Sequence, residues 1–328
     1  MTDSHTPLVE RTEDGRNAAG HLPTLPEPRD DGAKRRSVTK GERFRRAAPW
    51  YIMVAGAVAL IVWLIVYPFI ESFLLSFQDV PTNGDGVFIG LENYQRLFTD
   101  SRMWGALWNT LWFTFATVTL QVAIAWILAL LLWSTFRRAS TVMRVLFAIP
   151  MLISPVVVGI LWRVLLDPTY GWIPAIFNMQ DVSLLGNPAT AMPTMIFVET
   201  WQWTPFVFLI VAAGLNAVPE ETLEAARLDG ASSWRLFWHI IWPLTLPVTL
   251  IAVLFRGLDT LKTFDLPYNL TSGGPGTATE TIALYLYKQA FTFLEKGYAS
   301  AISLLATAVM ALLAVLVLFF IRRAERKL

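Results

Sequence analysis

The chain of 328 residues contains no cysteine, which excludes disulfides, thiolate metal sites and a thiol nucleophile. Its three histidines, His5, His21 and His239, lie far apart and none stands in an HxxxH or HExxH spacing. An imidazole-based metal site is therefore excluded too. Charged residues make up only 16% of the sequence and nearly cancel, to a formal net charge of +1. A nucleic-acid surface needs an excess of Lys and Arg to displace counterions from phosphates, and there is none. The dipeptide Gly-Lys is missing as well, so no phosphate-cradling loop of the form G-x-x-x-x-G-K-[ST] is present. What the chain has in quantity is apolar surface, 55% of its residues, a balance that suits a bilayer and not a wetted globule.

Residues 1–47 are the exception. They are rich in Pro, Gly, Asp, Arg and Thr and carry too few apolar groups to offset the entropy of ordering, so a disordered tail is expected there. The charged tail is too long, and the apolar run after it too span-like, for a cleavable signal peptide. From residue 48 onward six stretches reach the ~20 apolar residues that cross ~30 Å of hydrocarbon: Trp50–Ser76, Trp104–Ser134, Val142–Leu166, Met192–Leu215, Leu244–Phe264 and Ala299–Ile321. The expected fold is an all-α integral membrane protein with six transmembrane helices over 48–328. Basic clusters precede span one (Lys34, Arg35, Arg36, Lys40, Arg43, Arg45, Arg46), join spans two and three (Arg137, Arg138, Arg144) and follow span six (Arg322, Arg323, Arg326, Lys327). With six spans all three fall on one side, which places both termini and the segment between spans four and five in the cytoplasm.

That segment, 218–242, is unusual. Pro219 is expected at the first position of a helix, with Glu220, Glu221 and Glu224 at its positive end. Gly230 supplies a turn, Ser232 or Ser233 caps a second short helix, and Trp234, Phe237, Trp238 and Ile241 make one apolar stripe along it. Pro243 is expected to start span five. A bent pair of short helices forms a knob able to enter a socket; an amphipathic helix lying on the membrane surface would show the same stripe.

The stretch "EAARLDGASSWRLFWHIIWP" resembles the EAA loop of permease subunits in binding-protein-dependent ABC importers. Glu224, Ala225, Ala226, Gly230, Ile240 and Pro243 stand at the family's spacing. Trp242 departs from the leucine usual before the proline. "FIGLENYQRLF", "ALWNTLWFT", "IPMLISPVVVGILW" and "NLTSGGPG" are similar to the carbohydrate branch of that family, akin to the maltose and glycerol-phosphate permeases. The resemblance implies a subunit of the bacterial or archaeal cytoplasmic membrane that catalyses nothing itself and holds no cofactor. ATP and Mg would be bound by two partner ATPase subunits in the cytoplasm. A second homologous permease would complete the path, and an extracytoplasmic solute-binding protein would deliver a sugar. It assigns ATPase coupling to Glu224, Ala225, Ala226, Asp229, Gly230, Ile240 and Pro243. A polyol, a glycerol phosphate or an amino acid is the alternative cargo; an intramembrane enzyme is the alternative class, against which stands the lack of any catalytic dyad.

Polar groups inside spans point to the path, because ionisable groups in hydrocarbon usually face a cavity or a partner. Arg256, Asp259, Thr260 and Thr263 fall at i, i+3, i+4 and i+7 in span five and form one stripe. A purely structural Arg256–Asp259 ion pair is equally compatible with the spacing. The resemblance places these four on the sugar-facing side, and adds Gln202, Trp203 and Phe206 of "ETWQWTPF" in span four. Asn109, Gln121 and Glu199 read as hydrogen bonds between helices. An aromatic belt at the membrane interface accounts for most of the 14 tryptophans.

Overall fold

The computed structural model of the chain describes residues 40–81, 86–135 and 147–326. Most of what it describes is helical, with one minimal hairpin, β1 (Gln78–Asp79) against β2 (Val87–Phe88). Five helices are long and apolar enough to cross a membrane by length and composition. They are α1 (Lys40–Leu75, apolar from Met53), α3 (Ser101–Thr135), α6 (Pro188–Asn216), α8 (Ser233–Leu261) and α11 (Lys296–Glu325). Shorter helices connect them: α2 (Glu92–Thr99), α4 (Pro155–Leu165), α5 (Trp172–Phe177), α7 (Glu220–Leu228), α9 (Asp265–Thr271) and α10 (Ile282–Tyr287). Helix α1 is already under way at Lys40, inside the stretch expected to be tail, whose first 39 residues lie outside the described part.

The span expected at Val142–Leu166 is not one continuous helix. Its residues before 147 lie outside the described part; after it a short 3-10 turn, Pro150–Leu152, ends in extended backbone at Ile153 and Ser154, and α4 restarts at Pro155. The cause is local: a residue before proline is pushed out of the helical region, and Ser154 has ψ 136°. At ~1.5 Å per residue α4 covers about half of a bilayer. It leans on α9, and Gly159 makes that possible, since a Cβ there would stand 2.8 Å from the Cβ of Asn269.

Within Leu60–Leu328, α6 is the central helix, packed on α3 and α8, while α8 also packs on α3 and α11. Three apolar clusters follow. Trp126, Phe208, Val211 and Leu215 join Leu223 of α7 and Leu236 and Ile241 of α8. Phe113, Val158, Met195, Leu266 and Leu270 tie α3, α4, α6 and α9. Leu97, Met103, Tyr285, Tyr298 and Ile302 tie α2, α3, α10 and α11. Ile61, Trp63, Ile65 and Phe69 of α1, by contrast, are each more than half exposed, the condition of a helix whose neighbour is lipid or another chain.

Candidate functional site

Two places gather the residues singled out by the sequence. The first is Arg256, in the last two turns of α8. Only 2% of it is exposed, yet four of its N–H groups are matched. Nε donates to Gln121 Oε1 of α3 (3.1 Å), one terminal nitrogen to Asp259 Oδ2 (2.6 Å), and the other to Glu199 Oε1 of α6 (2.6 Å) and Thr260 Oγ1 (3.2 Å). The ring of Trp203 covers the guanidinium at 4.6 Å, and Phe206 stands edge-on to that ring at 6.5 Å. A cation buried this deeply is tolerable only when paired and hydrogen-bonded. Here the pairing draws together three long helices. The Gln121 amide closes the ring by donating to the Glu199 backbone carbonyl (3.2 Å).

Asp259 is the one carboxylate of the cluster at the surface, with 43% of its side chain exposed and Lys262 3.4 Å from its other oxygen. The site thus offers a carboxylate acceptor beside a half-exposed indole and phenyl. Hydroxyl groups suit the first and the C–H face of a sugar ring suits the others. The remaining expectations divide. Thr260 is in the stripe, but Thr263 is not on the helix, because α8 ends at Leu261; its carbonyl accepts from Thr281 Oγ1 (3.3 Å) instead. Gln202 is fully buried and donates to the Ile153 carbonyl (2.9 Å), while its Oε1 meets no protein donor among the described residues. It belongs to the break before α4 and not to the Arg256 cluster. Glu199 and Gln121, read from sequence as links between helices, are links, and they are also the groups that hold Arg256. The signal was charge balance: the acid in span four requires a buried cation, and span five carries one.

The second place is the elbow between α7 and α8. Pro219 caps α7 from outside, so Glu220 is its first residue. Leu223 is buried and Ala226 packs beside it on the core, whereas Glu224, Ala225, Leu228, Asp229 and Gly230 are exposed, Leu228 by 89%. Gly230 turns the chain at φ +78°, a conformation that costs a side-chain-bearing residue strain. Ser232 then caps the next helix through its hydroxyl, which accepts from Arg235 N.

That next helix is not a separate short one. It continues without interruption from Ser233 to Leu261, through Pro243. A widened π turn over Phe237–Ile241, in which Trp242 N donates to the Phe237 carbonyl, immediately precedes the proline. A π turn relieves the clash between a proline ring and the preceding turn of an α-helix. The expected stripe is likewise split: Ile241 is buried and Phe237 half-buried, while Trp234 and Trp238 are exposed and pack edge to face at 5.6 Å.

At the far end of the bundle from this elbow, α2, α10 and the 272–281 loop are clamped by ions. Glu280, 1% exposed in its side chain, bridges Arg102 and Lys288 at 2.7 Å each. Burial opposes its ionisation, and these two cations outweigh burial and hold its carboxyl below the ordinary range. Asp100 accepts from Tyr285 and Tyr298 (2.6 Å for the latter) and from the backbone N–H of Arg102 and Met103. Burial again works against its charge, and the four donors prevail, lowering its pKa. The Tyr285 hydroxyl is pushed up to about 12 by burial and by that carboxylate. Asn109 reaches the same loop, at the carbonyls of Thr277 and Glu280. Among the described residues no three His, Asp or Glu side chains gather as a metal-ligand set.

Comparison with known proteins identifies the family. Residues 121–328 match the family described as binding-protein-dependent transport system inner membrane component. The trehalose/maltose transport system permease protein of Thermococcus litoralis is 32% identical over 273 residues, covering 82% of this chain and 92% of the relative. The trehalose transport system permease protein of Mycobacterium tuberculosis is 33% identical over 276 residues, 84% and 89% of the two chains. Among solved structures, a chain of a bacterial alginate ABC transporter, in complex with an alginate pentasaccharide-bound periplasmic protein, superposes with a TM-score of 0.73 at 20% identity. The match covers 87% of this chain and 96% of that one.

Proposed function

The chain belongs to the family of binding-protein-dependent transport system inner membrane components, and from that membership we propose that it is one of two permease subunits forming the path of an ATP-driven sugar importer. The observation that carries the reading is the Arg256 cluster. One buried cation ties α3, α6 and α8 together and so fixes Asp259, Trp203 and Phe206 as a carboxylate beside two rings at the surface of the bundle, the pair of features that binds hydroxyls and C–H faces together. The relatives in Thermococcus litoralis and Mycobacterium tuberculosis, whose names specify trehalose and maltose, favour a di- or oligosaccharide over a polyol or an amino acid.

In this reading the segment 147–165, together with the residues before it, completes a sixth crossing, both termini are cytoplasmic, and the α7–α8 elbow faces the ATPase. Ala225, Leu228 and Gly230 give the elbow an apolar, close-fitting tip, and Glu221, Glu224 and Asp229 ring it with carboxylates for arginines of the partner. ATP, Mg and hydrolysis belong to that partner, and a solute-binding protein docks at the opposite end.

The lack of cysteine makes the test clean, since a single introduced thiol is unique in this chain. Leu228→Cys in the assembled transporter should crosslink to the ATPase subunit and to no lipid-directed reagent, while uptake of radiolabelled trehalose or maltose follows ATP. A thiol reached only from the bilayer, or a C-terminal reporter exposed outside the cell, would refute the coupling reading and the topology respectively.

A further inference from the structure

Beyond the end of α8 lies a group of aromatic rings that the Arg256 cluster does not use. Phe264 stacks on Tyr268 (5.1 Å between centroids, 21° between planes) and meets Tyr287 at 4.9 Å. Tyr268 meets Tyr287 at 5.7 Å, and Tyr287 meets Phe291 at 5.2 Å. These rings are not core. Tyr268 is 42% and Phe291 69% exposed, and the other two are half-buried. Neither tyrosine hydroxyl meets a hydrogen-bond partner among the described residues. Phe264, Tyr287 and Phe291 line a recess of about 310 Å³ whose wall is otherwise mostly aliphatic, with Lys262, Ser303 and Thr307 among its few polar side chains.

Two features of the backbone serve this arrangement. The turn after α10, Lys288–Thr292, is a π turn, a rare form concentrated at functional sites, and it carries Phe291 alongside Tyr287. It is followed by Leu294 at φ +61°, a strained conformation for a leucine, of the kind that persists where surrounding structure enforces it. The rings are also continuous with the site already described. Phe206 meets Trp203, Trp203 covers Arg256, Arg256 binds Asp259, Asp259 pairs with Lys262, and Lys262 shares the recess with Phe264, Tyr287 and Phe291.

We infer that Phe264, Tyr268, Tyr287 and Phe291 form a second sugar subsite, on which a pyranose ring stacks before it reaches Asp259 and Trp203. The inference rests on the sugar-importer reading. Flat apolar faces edged by unengaged hydroxyls and a lysine suit a sugar ring, whose C–H face and hydroxyl rim need both at once. Aromatic rings anchoring the chain at a membrane interface would carry the same composition, and the experiment separates the two.

The importer is assembled with its partner permease, its ATPase and its own binding protein in liposomes. Radiolabelled trehalose, maltose and an alginate oligosaccharide are supplied in turn, each with the binding protein saturated, and sugar uptake and ATP hydrolysis are measured together. With whichever sugar the wild type moves, Tyr287→Leu/Phe291→Leu should lower the sugar taken up per ATP hydrolysed by about 2–10-fold for the rings removed, and Tyr287→Phe, which keeps the ring and loses only a hydroxyl, should lower it less. An unchanged ratio in the double variant, or uptake and hydrolysis falling in proportion, overturns the subsite and leaves the importer reading standing. A wild type that hydrolyses ATP yet moves none of the three sugars overturns the importer reading, and the subsite with it.

Discussion

Replacing Glu199 by leucine removes the buried carboxylate partner of Arg256. The ion pair between them is 2.6 Å long with side chains only 2% and 3% exposed, so no water replaces the lost carboxylate. Breaking a buried pair from one side costs about 3–5 kcal/mol, because a charge is left without compensation. After Glu199→Leu the arginine still has Asp259 and Gln121, which puts the cost near the low end, about 3 kcal/mol. After Arg256→Met, Glu199 is left with no cation at all and the cost is nearer about 5 kcal/mol. The double variant Arg256→Met/Glu199→Leu removes both charges. It leaves Gln121 Oε1 and Thr260 Oγ1 without their donor, about 1–3 kcal/mol each if they find no other, against the gain of no longer burying two ions. It should therefore be more stable than Arg256→Met alone. The assay is the fraction of detergent-extracted transporter that survives heating as a monodisperse assembly. Sugar uptake should be lost in Arg256→Met and in the double variant, since Asp259 and Trp203 lose the group that holds them. Survival of the double variant at the sum of the two single losses would refute the pairing, and uptake by Arg256→Met at the wild-type rate would refute the site.

Three further perturbations test other links. Gly230→Ala places a Cβ in open space but at φ +78°, so only the left-handed strain of about 1–2 kcal/mol applies; co-purification of the ATPase should weaken by roughly tenfold while membrane insertion is unchanged. Gly297→Ala sets a Cβ 1.9 Å from the Gln78 carbonyl oxygen, an overlap only backbone movement relieves, so it should cost about 1–3 kcal/mol in the same heating assay and loosen the hairpin on α11. Asp100, with its pKa lowered in the fold, contributes stability that is complete above the unfolded value of about 3.9 and lost as pH falls through the folded value; the stability gap between wild type and Asp100→Asn should be constant from pH 5 to 8 and close only in stronger acid.

The sequence was most legible where one local rule decided the outcome. Span-length apolar runs matched α3, α6 and α11 to within about four residues at each end, whereas α1 and α8 begin well before the expected Trp50 and Leu244, at Lys40 and Ser233. Gly230 and Ser232 performed the turn and the cap expected of them, and Arg256, Asp259 and Thr260 formed one stripe. It was least legible at prolines. Pro150 and Pro155 stand in a run apolar enough to span, and the chain breaks there because Ser154 adopts extended backbone. Pro243 was expected to start span five and instead lies inside a longer helix, just after a π turn, and hydrophobic periodicity carries no sign of a π turn. Thr263 fell outside its stripe for a related reason: the helix ends at Leu261, and a 3.6-residue period continues on paper past the point where the backbone leaves it. Glu199 and Gln121 were visible as polar groups in apolar surroundings, but that they converge on one guanidinium is a tertiary fact.

The continuity of α8 has a consequence for coupling. Ser233, at the elbow, and Arg256, at the centre of the ion cluster, lie on one helix, roughly 35 Å apart at ~1.5 Å per residue. In the proposed function a displacement of the elbow by the ATPase reaches Arg256 through this helix, whose stretch Trp242–Leu261 packs on α3, α6 and α11. Two of the four partners of Arg256, Asp259 and Thr260, ride on that helix, but the other two do not: Gln121 is on α3 and Glu199 on α6. Movement of α8 against them must lengthen or exchange charge-assisted hydrogen bonds that are short in this state, and the side chain released by that exchange is hydrogen-bonded to Asp259, the carboxylate assigned to the sugar in the proposed function. The two sites are coupled, on this reading, because the ion cluster is the joint between the moving helix and the stationary pair, and the binding surface changes shape only when that joint slips.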